Sequence, residues 1–282
     1  MNRSFIVLLF GLLFFYSAAT TSDEPNATST AFRIVGGYSI TIGAIPFICS
    51  IRQRNTGPPV DNGQWSWLCG GTVVNQNWLL TSAHCIFGLD IARILVVCGL
   101  RQARTIQLVQ TSPAYVQGQK GNDLALVLLK KPLVFSDNVQ PITIWDGQPL
   151  PSNEATIVGY GLSSYDVAGW RANGLQAATV PILSNEQCYQ RLGYLAAYLT
   201  TDTICTDNGA DGAGTCVGDS GGPVIIATEQ QAFNLIAIPS WTVSPCGSGP
   251  SMHTLISPHI NWILDVITPN LVQTIETIDV FP

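Results

Sequence analysis

Three side chains in separate segments of this sequence could together carry out nucleophilic chemistry. They are His84 in TSAHC, Asp123 in GNDLAL and Ser220 in the glycine-rich GDSGGP. A serine hydroxyl is a weak nucleophile at neutral pH and needs an adjacent base to take its proton. Imidazole, with an ordinary pKa of about 6.5, suits that role. A carboxylate can then fix the tautomer of the imidazole and stabilise the imidazolium that forms.

The order His, Asp, Ser resembles that of the chymotrypsin-like serine endopeptidases, the trypsin family. Two further motifs fit the same pattern: CGG, which begins at Cys69, and IVGG, which begins at Ile34. The resemblance covers residues 34 to about 267. It implies an enzyme that hydrolyses peptide bonds through an acyl-enzyme intermediate.

The resemblance assigns a role to each chemical group. Ser220 would be the nucleophile, His84 the general base, and Asp123 the residue that orients His84. The backbone N–H groups of Gly218 and Ser220 would form the oxyanion hole. A glycine at position 218 permits the backbone conformation that an inward-pointing N–H can demand.

Asp219 lies directly beside Ser220, yet adjacent side chains usually point in different directions, so it is a poor candidate to assist the serine. In the family, cleavage before IVGG frees an α-amino group that pairs with the acid preceding the nucleophile. The resemblance therefore pairs Ile34 with Asp219 and predicts a zymogen cleaved after Arg33 by a trypsin-like protease. Because an unpaired buried charge costs several kcal/mol, the oxyanion turn is expected to be disordered or misplaced before cleavage.

Gly214 would lie at the base of the primary substrate pocket, where an acid would select Arg or Lys. A substrate cation would find no partner beside a glycine, and burying it would cost too much. Thr242 stands where the family commonly has glycine and should narrow the pocket. We expect cleavage after small or medium uncharged residues, as in elastases, with Leu, Met or aromatic residues as the alternative. The pocket residues implied by the resemblance are Gly214, Thr215, Ser240, Trp241, Thr242 and Ser251.

The elements that must position these residues are short apolar runs separated by turn residues, which is typical of an all-β fold. Candidate strands are residues 47–51, 72–75, 78–81, 94–98, 106–110, 124–129, 156–159, 177–181, 223–227 and 235–240. Residues 52–67 between the first two are expected to form an exposed loop. The resemblance implies two six-stranded antiparallel β-barrels, at about 34–146 and 147–256, with the active site between them.

Two helices are predicted. Ser184 and Gln187 form a capping-box pattern that opens a short helix near residues 184–191. Ser257 as N-cap and Pro258 as first helical residue open a C-terminal helix over 257–267. In its first turn His259 is expected at the surface. His253 lies near the pocket by sequence and could read an acidic substrate side chain, although a structural role is favoured.

The N-terminal segment has the order of a secretory signal: Arg3, an apolar run, and small residues up to Ala19. Residues 1–19 are therefore expected to be a signal peptide, 20–33 an activation propeptide, and 34–282 the peptidase domain of a secreted, extracellular protein. Asn26 begins a glycosylation sequon, Asn-Ala-Thr. The apolar run is shorter than the roughly 20 residues that span a membrane, so no membrane partner is expected.

The chain contains eight cysteines, none of them in the signal. An even count in an exported protein indicates disulfides, whose pairing the sequence alone leaves open. The bridges implied by the resemblance are Cys69–Cys85, Cys188–Cys205 and Cys216–Cys246. The remaining pair, Cys49 and Cys98, departs from the usual family set, but both lie on predicted neighbouring strands. A bridge is predicted there, with two buried free thiols as the alternative.

No metal or cofactor is expected. There is no C-x-x-C pair for zinc, and no Asp or Glu stands between Asp90 and Asp123, where the calcium loop of some relatives would fall. The net charge of −6 argues against a nucleic-acid partner. A monomer is expected, with protein or peptide substrates, an activating protease and protein inhibitors as partners.

Two other function classes deserve comparison with a broadly acting endopeptidase. A protease homologue that has lost activity and serves as a binding protein would typically lack a triad member or the GDSGGP turn, and this chain has both. A regulatory protease that recognises one protein through an exosite could use Arg52, Arg54 and the 52–67 loop, although a solvated loop is the simpler interpretation.

Overall fold

Short strands account for most of the regular structure in the computed structural model, which describes residues 34–55, 64–147, 150, 152–162, 174–208, 212–228 and 232–268. The strands are β1 (Tyr38–Ile40), β2 (Ile48–Arg54), β3 (Trp65–Val73), β4 (Trp78–Thr81), β5 (Ile94–Cys98), β6 (Gln102–Thr111), β7 (Ala125–Leu129), β8 (Thr143–Ile144), β9 (Glu154–Gly159), β10 (Leu175–Leu183), β11 (Thr203–Thr206), β12 (Val224–Ala227), β13 (Phe233–Thr242) and β14 (Ser251–Leu255). The α-helices are α1 (Asn185–Leu192) and α2 (Ile260–Ile267).

The first barrel closes from six antiparallel strands in the order β2-β3-β4-β7-β6-β5, with β5 paired back to β2. Its strands follow the two-residue period of side-chain direction. In β5, for example, Ile94, Val96 and Cys98 are buried in the core while the residues between them are half-buried. Closure leaves no unpaired edge among these strands, which is how barrels avoid edge-to-edge association.

The second barrel also has six antiparallel strands, in the order β10-β11-β14-β13-β12-β9, and the pairing of β9 with β10 closes it. Two short strands add to its outside: β1 pairs with β10, and β8 runs parallel to β13. The prediction of an all-β fold with two six-stranded antiparallel barrels is therefore confirmed.

Both helices occur where the sequence placed them. Ser184 caps α1 in a complete capping box, because its hydroxyl accepts the N–H of Gln187 and the Gln187 side chain accepts the N–H of Ser184. The terminal helix begins differently: Ser257–His259 form a 3₁₀ turn, and α2 follows from Ile260. Proline at position 258 lacks the N–H that this first turn leaves unbonded anyway.

Four disulfides are present, two within each barrel, and they are the four pairs expected above. Cys49 and Cys98 stand directly opposite each other on β2 and β5, with a Cα–Cα distance of 4.2 Å. The other bridges are Cys69–Cys85, Cys188–Cys205 and Cys216–Cys246.

The sequence prediction of strands was wrong at several places. The segment 52–67 is not all loop, because β2 continues to Arg54 and pairs there with Trp65 of β3. The strands β1, β8, β11 and β14 were missed. They are two to five residues long, and their pairing partners in the barrel define them.

Several expectations concern residues outside the described ranges. These are the signal peptide 1–19, the propeptide 20–33 with Asn26 and Arg33, and the C-terminal tail beyond residue 268. Among the residues that are described, no helix has the length and apolar character needed to cross a membrane.

Candidate active site

His84 and Asp123 are brought together by the pairing of two neighbouring strands. His84 lies in a 3₁₀ turn just after β4, and Asp123 lies just before β7. Because β4 and β7 are antiparallel, with Thr81 opposite Ala125, both residues leave the first barrel at the same end. The His84 ring Nδ1 and Asp123 Oδ2 are 2.6 Å apart, and the backbone N–H of His84 donates to Oδ1 at 2.8 Å.

Asp123 is buried, with 2% of its surface exposed. Burial by itself raises the pKa of Asp123, but the hydrogen bonds and charge of His84 and the hydrogen bond from Ser240 outweigh it and hold the pKa below the ordinary 3.8. Ser240, whose hydroxyl donates to Asp123 Oδ2, belongs to β13 of the second barrel. An ionised, doubly anchored carboxylate therefore sets the orientation of the His84 ring from both barrels.

Ser220 lies in the turn before β12 that faces the first barrel. Its carbonyl accepts the N–H of Gly70, and the N–H of the next residue, Gly221, donates to Pro239. The Ser82 hydroxyl of the first barrel donates to the same Pro239 carbonyl at 2.7 Å. A side chain at position 221 would overlap Thr81, and Gly221 has φ +79°, so only glycine fits this contact between the barrels.

The Ser220 side chain is half-buried and lines the cleft. In the described part of the chain no hydrogen bond joins Ser220 to His84, and the His84 Nε2 atom lies 3.7 Å from Cys85 Sγ. Contacts of this kind often tighten only when substrate binds. The His84 side chain is 40% exposed.

The turn before Ser220 carries two backbone N–H groups that donate to no protein acceptor within the described ranges, those of Gly218 and Ser220. Gly218 has φ +98°, and a Cβ there would lie 3.2 Å from Gly161 Cα. Its carbonyl accepts the indole N–H of Trp67 at 2.9 Å, and this hydrogen bond holds the peptide between Gly218 and Asp219 in place. The arrangement leaves two donors available for a substrate oxygen beside the serine.

Asp219 points away from the cleft and is 1% exposed. Its carboxylate accepts the backbone N–H groups of Gly161 at 2.7 Å and Cys216 at 2.9 Å. No salt bridge to Asp219 occurs among the described residues. Burial, opposed by these two hydrogen bonds, raises the pKa of Asp219 to about 7. Glycines at 159 and 161 are required here, because a Cβ at either would overlap the carboxylate.

Ile34 is buried in the core of the second barrel, the barrel that carries Asp219. The next residue, Val35, accepts the N–H of Gly214. Ile34 has φ +53°, a left-handed conformation that is strained for a β-branched residue. The angle φ is defined by the peptide bond to Arg33, so cutting that bond would remove this constraint.

In the intact chain, stability is expected to fall as the pH rises from about 4 to about 7 because of Asp219. The folded pKa is about 7 and the unfolded one about 3.9. Over that window the folded state holds a proton that the unfolded state releases, so raising the pH favours unfolding. The total effect is at most about 4 kcal/mol.

Urea unfolding at several pH values checks this expectation. The measurement uses the intact chain with Ser220→Ala to prevent self-cleavage, with and without Asp219→Asn. The asparagine variant should lack the decline, whereas Asp207→Asn, which removes the Arg191–Asp207 surface pair, should retain it. Parallel curves for the chain with and without Asp219→Asn would refute the assignment.

A cavity of about 180 Å³ opens beside Ser220. Of the predicted pocket residues, Thr215, Ser240, Trp241 and Thr242 line it. The complete lining is Thr215, Cys216, Val217, Ser220, Pro239, Ser240, Trp241 and Thr242. It contains no charged side chain.

Gly214 and Ser251 do not line this cavity, contrary to their expected place at its base and wall. Ser251 is 1% exposed, and its hydroxyl accepts the N–H of Thr215 at 3.1 Å. The hydroxyls of Ser251 and Thr242 are 3.3 Å apart, and a Cβ at Gly214 would lie 3.2 Å from Ser251 Oγ. Ser251 is thus close both to Thr242, which lines the cavity, and to Gly214, which does not.

Neither remaining histidine lies in the cleft. His253 is buried, with its Nε2 atom 2.8 Å from Thr206 Oγ1, and burial lowers its pKa to about 3. It is therefore neutral and unsuited to pair with an acidic substrate. His259 was expected at the surface, and that expectation was wrong: it is buried, and its Nε2 atom lies 3.0 Å from Asp202 Oδ2. No sequence motif links these two residues, which are 57 positions apart.

One cluster in the described ranges has the spacing of a metal site, formed by Cys69, His84 and Cys85. Its two cysteines form a disulfide with each other. They cannot supply the thiolates that bind zinc.

Comparison with known proteins supports the interpretation of this site. The family model described as Trypsin matches residues 34–263. The chain is 30% identical over 249 residues to the venom peptide isomerase heavy chain of Agelenopsis aperta, covering 82% of this chain and 98% of that protein. It is 29% identical over 259 residues to trypsin zeta of Drosophila melanogaster, covering 86% and 89%. It is 28% identical over 233 residues to transmembrane protease serine 11G of Mus musculus, covering 76% and 55%.

Proposed function

Because the chain belongs to the trypsin family of serine endopeptidases, we propose that it hydrolyses peptide bonds with His84, Asp123 and Ser220 as its catalytic triad. The observation that carries this proposal is the pair of hydrogen bonds that hold His84 against the ionised Asp123, beside the cleft that Ser220 lines. The two unbonded N–H groups of Gly218 and Ser220 support the same interpretation as an oxyanion hole.

In the proposed reaction, Ser220 Oγ attacks the carbonyl carbon of the scissile peptide while His84 Nε2 takes the hydroxyl proton. The negative charge that develops on the carbonyl oxygen is stabilised by the N–H groups of Gly218 and Ser220. His84 then gives the proton to the leaving amine, which departs and leaves an acyl group on Ser220. A water molecule then attacks the acyl carbon while His84 takes one of its protons. The bond between that carbon and Ser220 Oγ breaks, His84 returns the proton to Oγ, and the acyl group leaves as a carboxylic acid. Asp123 remains ionised throughout and stabilises the imidazolium.

The protein is proposed to be a zymogen activated by cleavage between Arg33 and Ile34. Two features of the described residues support this. Asp219 is buried without a cation, which is costly for a carboxylate, and Ile34 is already packed in the same barrel with a strained φ. Cleavage would create an ammonium group on Ile34 that pairs with Asp219 and relieve the backbone constraint.

The proposed domain organisation follows from this activation: a signal peptide over 1–19, a propeptide over 20–33 that carries the Asn26 sequon, and the peptidase from 34 onward. The order of residue types at the N-terminus supports secretion. The proposed partners are protein or peptide substrates, an activating protease that cuts after arginine, and protein inhibitors.

The pocket supports a preference for small or medium uncharged residues before the scissile bond. It has no charged lining, so Lys and Arg would lose their hydration without gaining a partner. We propose that Thr242, whose hydroxyl lies 3.3 Å from that of Ser251, narrows the pocket on the side of Gly214. Cavity volume alone does not exclude an aromatic ring, since about 150 Å³ suffices for benzene. Specificity for Leu, Met or aromatic residues is therefore the alternative.

We expect the chain cut after Arg33 to cleave a peptide library after Ala, Val and Leu at least about tenfold faster than after Lys or Arg, the difference that one or two kcal/mol of pocket binding produces. The measurement is kcat/KM for peptides that differ only at this position. In the variant Thr242→Gly, which opens the wall, the rate after Phe and Tyr should rise. Dominant cleavage after Phe or Tyr by the unmodified enzyme would favour the alternative.

Mass spectrometry of the same reactions tests the function class. Hydrolysis splits the peptide, whereas isomerisation, the activity indicated by the name of the Agelenopsis relative, leaves its mass unchanged. A binding protein without activity would do neither. Absence of Ser220-dependent products from a chain with a confirmed Ile34 N-terminus would refute the proposal of a broadly acting endopeptidase.

A further inference from the structure

A second pair of histidine and aspartate occurs in the second barrel, and both of its side chains are buried. Asp202, in the turn before β11, and His259, in the 3₁₀ turn before α2, have side chains that are 7% and 9% exposed. Asp202 Oδ2 is 3.0 Å from His259 Nε2, and Oδ1 accepts the hydroxyl of Thr200 at 2.6 Å. Both residues belong to the second barrel and its terminal helix, and neither touches the substrate cavity.

The Asp202 carboxylate reaches across to the first barrel. Its Oδ2 atom accepts the backbone N–H of Asn122 at 2.9 Å, and Asn122 directly precedes the proposed catalytic Asp123. Packing beside this bond is equally close, since a Cβ at Gly121 would lie 2.7 Å from Thr200 Cγ2. One acceptor thus fixes the peptide that leads into the catalytic acid.

That peptide needs fixing because its backbone is unusual. Asn122 has φ +56°, in the left-handed region, and its carbonyl accepts the N–H of Leu124. Such conformations persist only where the surroundings over-determine them. The tight turn lets Leu124 enter the barrel core while the neighbouring Asp123 faces His84.

The contacts of Asp202 suit a charged acceptor. Burial alone raises the pKa of Asp202, but hydrogen bonds from His259, Thr200 and the Asn122 N–H outweigh it and hold the pKa below the ordinary 3.8. The carboxylate is therefore ionised, and hydrogen bonds to an ionised acceptor are stronger than those between neutral groups.

We propose that Asp202 and His259 are positioning residues for catalysis: His259 orients the Asp202 carboxylate, which holds the Asn122 N–H so that Asp123 meets His84 Nδ1. This inference rests on the proposed role of Asp123. It connects the start of the terminal helix to the triad through the side chains of His259 and Asp202 and the backbone of Asn122. A purely structural pair would instead anchor the helix and affect only stability.

The experiment measures kcat and KM of activated variants on one peptide substrate. Asp202→Ala removes the acceptor and is expected to lower kcat by about 10- to 100-fold, the range that a displacement of about 1 Å can cause. KM should stay within about twofold, because no pocket residue moves. Asp202→Asn retains an oxygen for the Asn122 N–H and should recover kcat to within about fivefold of the unmodified enzyme.

His259→Gln and a matched control complete the set. Glutamine can still donate a hydrogen bond to Asp202, so His259→Gln should lower kcat by less than His259→Leu. The control is Asp207→Asn, which removes a carboxylate paired with Arg191 at the surface and is expected to leave kcat unchanged.

A spectroscopic readout separates positioning from stability. The proton on His84 Nδ1, hydrogen-bonded to Asp123, gives a low-field NMR resonance that reports their geometry. We expect this resonance to shift or broaden in Asp202→Ala and His259→Leu and to be unchanged in Asp207→Asn.

The results decide between the two roles. A folded Asp202→Ala with unchanged kcat and an unchanged resonance would overturn the inference, even if its melting temperature fell. If Asp202→Ala does not fold, His259→Leu decides in the same way. Ser220→Ala and Asp123→Asn are measured alongside. Full activity in these two variants would refute the proposed triad itself. If they lose activity while the Asp202 and His259 variants keep theirs, only the positioning role is refuted.

Discussion

Replacing Ser220 with alanine is expected to lower kcat by about 10⁶-fold, the loss seen when a serine protease loses its nucleophile. Without the hydroxyl no acyl-enzyme forms, and His84 has no proton to transfer. The pocket beside position 220 remains, so peptide binding should change little. The variant should still hydrolyse the peptide about 10³-fold faster than the uncatalysed reaction in water, because the oxyanion donors and substrate binding remain.

The measurement is kcat of the activated variant on a rapidly cleaved peptide, with mass spectrometry to confirm the Ile34 N-terminus. Ser136→Ala is the matched control, because Ser136 is exposed and does not line the cavity beside Ser220. It should retain full activity. If Ser220→Ala kept about a tenth of the activity, the acyl-enzyme mechanism proposed on this site would be wrong.

Blocking cleavage after Arg33 is expected to keep the enzyme inactive. In the variant Arg33→Gln a trypsin-like protease cannot release Ile34, and Asp219 stays without its ammonium partner. Breaking or omitting a buried ion pair costs about 3–5 kcal/mol. If that energy is taken from the turn that presents the Gly218 and Ser220 N–H groups, kcat/KM should fall by at least about 100-fold, the effect of losing one oxyanion donor.

Two comparisons make this prediction specific. Arg54→Gln removes an arginine in β2 that is not the proposed cleavage site, and it should activate normally. Asp219→Asn, after confirmed cleavage at Arg33, should show a loss similar to that of the uncut chain, because the ammonium then lacks its carboxylate. Full activity of the uncut Arg33→Gln chain would show that the pairing of Ile34 with Asp219 is not the switch.

Local patterns in the sequence were sufficient for much of the fold. The capping box at Ser184 involves residues three positions apart, and strands such as Trp78–Thr81 and Ile94–Cys98 appear at the predicted positions. Prediction failed where an element is defined by its pairing partners and not by a pattern of its own. The strand Thr203–Thr206 is defined by its pairing with β10 and β14, and that pairing requires the closed barrel.

The substrate pocket shows a different limit. The residue types at positions 214, 242 and 251 predicted a neutral pocket, because charge is a property of the side chain itself. They did not indicate that the Thr242 and Ser251 hydroxyls lie 3.3 Å apart, or that Gly214 and Ser251 stay outside the lining of the cavity beside Ser220. That contact depends on the register between β13 and β14, in which Thr242 stands opposite Ser251.

The sequence by itself determined the family, the chemical identities of the three candidate catalytic groups, and the all-β architecture, since these depend on residue types and short spacings. Only the tertiary structure decided how Asp123, the proposed third member of the triad, is held. Ser240 meets Asp123 across 117 positions, and Asp202 meets the Asn122 N–H across 80. Such contacts leave no periodic signal along the chain, because they arise when two closed barrels pack and bury polar groups that must then find partners.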